Sequence, residues 1–340
     1  MDLNEAMTER HSVRMYSDEP VSKALLDDVA AEVERCNASS GLHFQMASGL
    51  EDAFCGYKTH YGRFSGVHNA IALVTKIDVP YDLHPAKKAP AAKTNPTSNV
   101  AQSHTAMSAD LHVNSSVNHA GQADNSATQP NDPIPPEEAE IEEKVGYYGE
   151  QLALKLVQLG LATSWAVLDD AATGWWELEP GERVVWVLAF GHPARPGAKH
   201  HSKPLDSLCS LPASLGGNGE VPTLADAPEW FQRGVAAASL APTSLSQQPF
   251  HFTLEEADST VNSKSLSTSD PAAQAKGIPD QNAANDSHSA AAVNSMASSG
   301  NLLPTVSARV TPGLFAHVGL GCAKRNFEIG AGSSNFTWAK

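Results

Sequence analysis

Residues 146–165 read GYYGEQLALKLVQLGLATSW, and their polar side chains Gln151, Lys155 and Gln158 fall at i, i+4 and i+7. Tyr148, Leu152, Ala153, Leu154, Leu156, Val157 and Leu159 cover most of the remaining circumference. A helix with one narrow polar stripe predicts an interior element packed on several sides. Gly160 suits the left-handed turn that would end it. Upstream, Pro20 precedes a helix capped by Ser22, with Leu25, Leu26, Val29, Ala30 and Val33 on its inner face. Residues 42–46 alternate as a strand, and 69–75 and 184–190 form two denser apolar runs that predict buried strands. The last of these is closed by Gly191-His192-Pro193, and Trp175-Trp176 falls in the turn region before it. Residues 228–240 read as a helix started by Asp226 and Pro228. It runs into a hydroxyl- and amide-rich turn bounded by Pro242 and Pro249, then a strand. Residues 313–328 predict another interior helix, whose small side chains allow close packing.

Two stretches break this patterning. Residues 80–136 are rich in Ala, Ser, Asn, Pro, Thr and His, and residues 255–300 in Ser, Ala, Asn and Asp. Neither can bury enough apolar surface to offset its ordering entropy, so both are expected to be disordered insertions. What remains fits one compact domain.

Among 340 residues the formal charge is −15, which argues against nucleic acid and anionic membrane surfaces as partners. No apolar run is long enough to span a bilayer. The start, MDLNEAMTERHS, has no basic, apolar leader, so a cytoplasmic location is expected. Cys36, Cys55, Cys209 and Cys322 are scattered without a C-x-x-C pair, and His200-His201 has no further ligand at useful spacing, so no metal site is expected.

Residues 9–16, ERHSVRMY, carry the first candidate chemistry. In extended chain, Arg10, Ser12 and Arg14 share one side and His11, Val13 and Met15 the other. Two guanidiniums flanking a hydroxyl suit a phosphate. The same spacing also describes a solvated basic strand paired with nearby acids.

Three pieces together resemble the nitroreductase family of FMN-dependent oxidoreductases. Arg10-His11-Ser12-Val13-Arg14 is similar to that family's Arg-x-Ser-x-Arg phosphate motif. The helix ending Leu159-Gly160-Leu161-Ala162-Thr163-Ser164-Trp165 resembles its central helix and the turn flanking the flavin. Residues 184–205, with Lys203-Pro204-Leu205, resemble its last strand and basic segment. The family also carries an Ala-Pro-Ser-x-x-Asn-x-Gln-Pro-Trp turn that reaches the partner subunit's flavin. Here it is lost from residues 36–44, and a good copy stands at Ala241-Pro242-Thr243-Ser244-Leu245-Ser246-Gln247-Gln248-Pro249-Phe250, with Ser246 replacing the asparagine. This resembles the tandem branch in which two nitroreductase-like halves in one chain mimic a dimer.

The resemblance implies an α+β fold: a mixed, mainly antiparallel sheet surrounded by helices, in two half-repeats with pseudo-twofold symmetry. Residues 1–79 and 137–210 would form the first half, and 225–254 and 301–340 the second. It implies FMN as cofactor and NAD(P)H as co-substrate, with a small-molecule electron acceptor such as a nitroaromatic or quinone. Arg10, His11, Ser12 and Arg14 would hold the phosphate and ribityl chain, with Lys203 as a further phosphate partner. Pro242, Thr243, Ser244 and Ser246 would approach from the second half. Thr163, Ser164 and Val167 would flank the flavin ring, the Val167 N–H meeting N5. The second half shows no Arg-x-Ser-x-Arg, which implies one flavin site per chain, and the internal duplication implies a monomer. A non-catalytic flavin- or ligand-binding relic of the same fold is the alternative reading.

Overall fold

The computed structural model describes residues 1–76, 135–169, 171–197, 201–256 and 303–339. The two stretches expected to be disordered lie outside these residues except at their margins.

Helix α1 (Leu3–Glu9) is capped by Asp2, whose carboxylate accepts from the Glu5 N–H at 2.8 Å. Helix α2 (Lys23–Ser40) starts at Ser22, as its sequence predicts, and stops where Gly41 turns left-handed. Strands β1 (Gln45–Ala47), β2 (Asn69–Ala72) and β3 (Thr75–Lys76) lead to the long helix α3 (Pro136–Gln158). Then come β4 (Ala162–Val167), β5 (Glu182–Arg183), β6 (Trp186–Gly191) and β7 (Cys209–Ser210). The chain closes with α4 (Glu229–Ala238), β8 (Phe250–Leu254), β9 (Thr305–Val310), α5 (Ala316–Ala331) and β10 (Thr337–Trp338).

The architecture is α+β. One four-stranded sheet has the order β1-β2-β6-β4 and is antiparallel throughout. A second has the order β10-β9-β8-β7, antiparallel at β8–β9 and parallel at both edges; β3 and β5 pair separately. Strands β2 and β6 are buried along their whole length because both faces are covered, which accounts for their unbroken apolar runs. Ile71, Leu188 and Phe190 pack on the helix side with Val29, Val33, Leu152 and Leu156. Ala70, Ala72, Val187 and Ala189 face Tyr16, Phe54 and Trp176. The second sheet buries an aromatic core instead, with Phe231, Phe252 and Phe336 each in ring contact with Phe327.

The order α2-β1-β2-α3-β4 is answered by α4-β8-β9-α5-β10. Val145-Gly146 and Trp165 recur at the same spacing as Val318-Gly319 and Trp338. Where α3 and α5 cross, a Cβ on Gly146 would stand 2.0 Å from the Val318 carbonyl oxygen, and one on Gly321 would stand 2.0 Å from that of Glu143. Only glycine permits backbones this close. After β6 the chain crosses to the second sheet, where β7 pairs with β8.

Helix α3 starts at Pro136, well before the apolar pattern that announces it. Its early turns carry Glu137, Glu138, Glu140, Glu142 and Glu143, which hide the apolar stripe, while Glu137 and Glu138 in the first turn suit the positive end of a helix dipole. Strand β9 was not evident either, because Val306 is its only fully covered side chain.

Candidate functional site

Helix α1 delivers Arg10. Ala6 and Met7 are buried against Leu154, Val157 and Ala237, which fixes the helix across both halves. Arg10 follows as its C-cap, 4% exposed. Its Nη2 donates to the Leu240 carbonyl at 3.3 Å, and its Nε lies 3.6 Å from the carboxylate of Glu150 on α3. The next residues are held along the outer edge of β4: Ser12 bridges Thr163, and the Val13 N–H donates to the Thr163 carbonyl at 3.0 Å. Arg14 is exposed and fixed through its backbone, its carbonyl accepting from the Ser65 N–H at 3.0 Å.

Arg10, His11, Ser12 and Arg14 line a cleft of about 230 Å³, many times the space that one water requires. Pro242, Thr243, Ser244 and Ser246 line it from the second half, and Val167 from β4. Thr163, Ser164 and Lys203 are not among its lining residues. Thr163 is buried with its hydroxyl on the Ala189 carbonyl at 3.0 Å. Ser164 is buried beside the Trp165 carbonyl. Lys203 grips the loop behind the cleft: its ammonium donates to the Gln248 carbonyl at 3.2 Å, and its N–H to the Gln248 side chain at 2.6 Å.

That loop is strained and held. Leu245, Ser246 and Gln248 have φ of 52°, 55° and 44°, each costing on the order of 1–2 kcal/mol for a side chain other than glycine. Gln248 repays this by donating to the Ser239 carbonyl at 2.7 Å, and the Gln247 side chain accepts from the Leu314 N–H at 2.8 Å. Residues kept in such conformations concentrate at ligand sites. Phe315, with φ of 51°, opens α5 at the same cleft and meets Trp186 edge-on at 5.9 Å and Tyr61 at 6.2 Å.

Strand register sets what β4 offers. The Leu168 N–H donates to the Val185 carbonyl, and Val167 pairs with Trp186. Alternation along an antiparallel ladder turns the Val167 amide away from β6, and Val167 is one of the residues that line the cleft. On the same side, the Val167 carbonyl accepts from the His60 N–H at 2.8 Å.

The sequence reading did not find the aromatic and aliphatic lining: Tyr61, Trp186, Leu245, Phe315 and Val318, nor the thiol of Cys322. Phe315, Val318 and Cys322 fall in the stretch predicted as an interior helix, and nothing in its periodicity says that its first turn is open. Trp165 belongs to the segment predicted to flank a flavin, and it lines the cleft.

Chemically the cleft has a cationic, hydroxyl-bearing end and an apolar, aromatic body. Among the described residues, Arg10 Nη1 is buried there without a hydrogen-bond partner. A group with an anionic end and a flat ring system fits this set, FMN included.

The family described as "Putative TM nitroreductase" matches residues 2–84 and 133–275, more than half of the chain. The chain belongs to this nitroreductase family, whose members point to oxidoreductase chemistry. It is also similar to a "putative nitroreductase" from Thermotoga maritima, with 16% identity, 75% of this chain and 72% of that one covered, and a TM-score of 0.37. A "putative nitroreductase in complex with FMN" from Desulfovibrio desulfuricans shares 18% identity over 61% of this chain and 95% of that one, at a TM-score of 0.36. A nitroreductase family protein from Streptococcus pneumoniae shares 15% identity over 61% and 98%, at a TM-score of 0.37. None of the curated proteins compared matches the sequence. Among the described residues no helix is long and apolar enough to cross a membrane.

Proposed function

We propose that the chain is an FMN-dependent NAD(P)H oxidoreductase that reduces a small acceptor of the nitroaromatic or quinone type. The observation that carries this reading is the meeting of Arg10, Ser12 and Arg14 with Pro242, Thr243, Ser244 and Ser246 around one cleft edged by β4. FMN would supply the redox chemistry, accepting hydride from NAD(P)H and passing electrons to the acceptor in a ping-pong cycle. The chain's own part is to bind, orient and exclude water. Arg10, Arg14 and Ser12 would grip the phosphate and ribityl end by charge-assisted hydrogen bonds. The Val167 N–H would meet the central ring nitrogen, while Trp165, Trp186 and Phe315 wall the ring. Thr163 and Ser164 support β4, and Lys203 holds the second-half loop, so these three act behind the site.

The division into residues 1–79 with 137–210, and 225–254 with 301–340, belongs to the same reading. So does a monomer in which the second half plays the part of a partner subunit; a solution mass at twice the chain would break that part. The decisive experiment is the visible absorption spectrum of purified protein before and after FMN, then under anaerobic NADH or NADPH. A bound-flavin spectrum that bleaches and recovers with a quinone is expected. Protein that takes up no FMN overturns the cofactor assignment; protein that binds FMN but is never reduced is the non-catalytic relic.

A further inference from the structure

Behind the cationic end of the cleft lies a polar cluster that the proposed reaction leaves without a task. Glu150 is wholly buried on α3, and among the described residues no hydrogen bond reaches either carboxylate oxygen. Arg10, at 3.6 Å, is its nearest cation. The buried amide of Asn326 on α5 and the Trp165 indole on β4 face it without reaching normal hydrogen-bond geometry. Arg325, also on α5, bears on it electrostatically, and the neighbouring Cys322 thiol is held well above its usual range by burial and by Glu150. Burial pushes Glu150 up to about 7, with Arg10 the chief opposing influence. A carboxyl so poorly solvated depends on Arg10 to stay ionised.

Arg10 has a second claim on its charge. It lines the cleft, and its Nη1 is unpartnered among the described residues. An anion docking there shares the guanidinium with Glu150, and two negative charges around one cation in a dry site repel strongly. We propose that Glu150 is the proton-accepting counter-charge of the cleft, taking one proton from solvent when an anionic ligand docks on Arg10 and Arg14. Ligand capture and protonation of Glu150 are then one event, and Glu150 is a positioning residue that keeps Arg10 aimed while the cleft is empty. This rests on FMN being the ligand.

The test is calorimetric titration of the full chain with FMN at about pH 8, in two buffers of different ionisation enthalpy, which counts protons exchanged. At that pH the FMN phosphate is fully ionised both free and bound, its second pKa being about 6, so it contributes nothing. Wild type is expected to take up a proton on binding, and its Kd for FMN to weaken by up to about tenfold per pH unit above neutral. Glu150→Gln, which imitates the protonated group, is expected to lose both the uptake and the pH dependence while still binding. Binding by wild type without proton uptake overturns the proposal whether or not the variant folds. Equal uptake by a folded Glu150→Gln overturns it too. Failure of wild type to bind FMN is a separate result, which removes the cofactor reading and this proposal with it.

Discussion

Trp165 and Trp338 stand at the same distance along the chain from matching Val-Gly pairs, each on the strand that follows a central helix, and they meet opposite surroundings. Trp165 lines the cleft, and its indole N–H has no hydrogen-bond partner among the described residues. Trp338 donates to Glu328 at 2.7 Å, carries the Lys324 ammonium 4.8 Å above its ring, and packs edge-on against Phe336 at 4.9 Å. Glu328 in turn accepts from the Tyr147 hydroxyl. The same contrast holds three residues before each Val-Gly pair. Phe315 walls the cleft, whereas its counterpart Glu142 is buried without a hydrogen-bond partner among the described residues. Glu150, beside Arg10, has Ala323 as its counterpart. One backbone plan, used twice, thus leaves ligand space where Arg10 and Arg14 arrive and fills it with side chains where no such pair exists.

The crossing of α3 and α5 is what both environments share, so breaking it should have the largest effect. Gly146→Val and Gly321→Val each drive a side chain into a backbone carbonyl that is 2.0 Å from the added Cβ. Each is expected to cost about 3 kcal/mol or more, read from urea unfolding, and to abolish FMN uptake in any protein that remains folded. A stable variant that still binds FMN would show that the two halves do not need this contact.

Next in size is a pH effect from the filled side. Burial pushes Glu142 up to about 8, with Glu138 adding to it, against about 4.3 for an unfolded glutamate. The folded chain therefore keeps a proton that the unfolded chain releases in this window. The stability so gained is full below the unfolded value and is lost as pH rises through about 8. The urea midpoint of wild type should fall between about pH 5 and pH 8, and Glu142→Gln should flatten that slope. An equal slope in both proteins would assign the pH dependence elsewhere, with Glu150 the first alternative because it shifts in the same direction.

How far the residues themselves revealed this arrangement follows from what each signal measures. The Ser22 cap, the polar stripe of α3 and the buried run of β6 were readable because periodicity reports directly on which faces are covered. The cationic end of the cleft was readable as a short motif, Arg10 to Arg14. The aromatic wall was not, since Tyr61, Trp186 and Phe315 come from three distant segments and look like ordinary core residues. Glu150 was invisible for a related reason: an acid on a helix reads as part of its solvated face, and only the packing of α5 and β4 over it shows that it is buried. Lys203 illustrates the limit of a motif, because its ammonium is directed to Gln248.

Arg14→Ala probes the open side alone. The side chain is exposed, so stability should change by no more than about 0.5 kcal/mol. Loss of one charge-assisted hydrogen bond, about 1.5–3 kcal/mol, should weaken FMN binding roughly 10- to 100-fold. Unchanged flavin content after desalting would remove Arg14 from the phosphate site.

The smallest effect is the sharpest comparison. Phenylalanine keeps most of an indole's apolar area and deletes its N–H. At Trp338 that deletion leaves Glu328 without one donor and weakens the contact with Lys324, at a cost of about 1–2 kcal/mol. At Trp165 the N–H makes no hydrogen bond among the described residues, so Trp165→Phe should cost less stability than Trp338→Phe. Its effect should appear with ligand instead, as a change in flavin fluorescence quenching or affinity that Trp338→Phe does not produce. If the two variants lose equal stability and neither alters the bound flavin, the two tryptophans are equivalent core residues, and the difference between the open and the filled side must reside in Arg10, Glu150 and Phe315 instead.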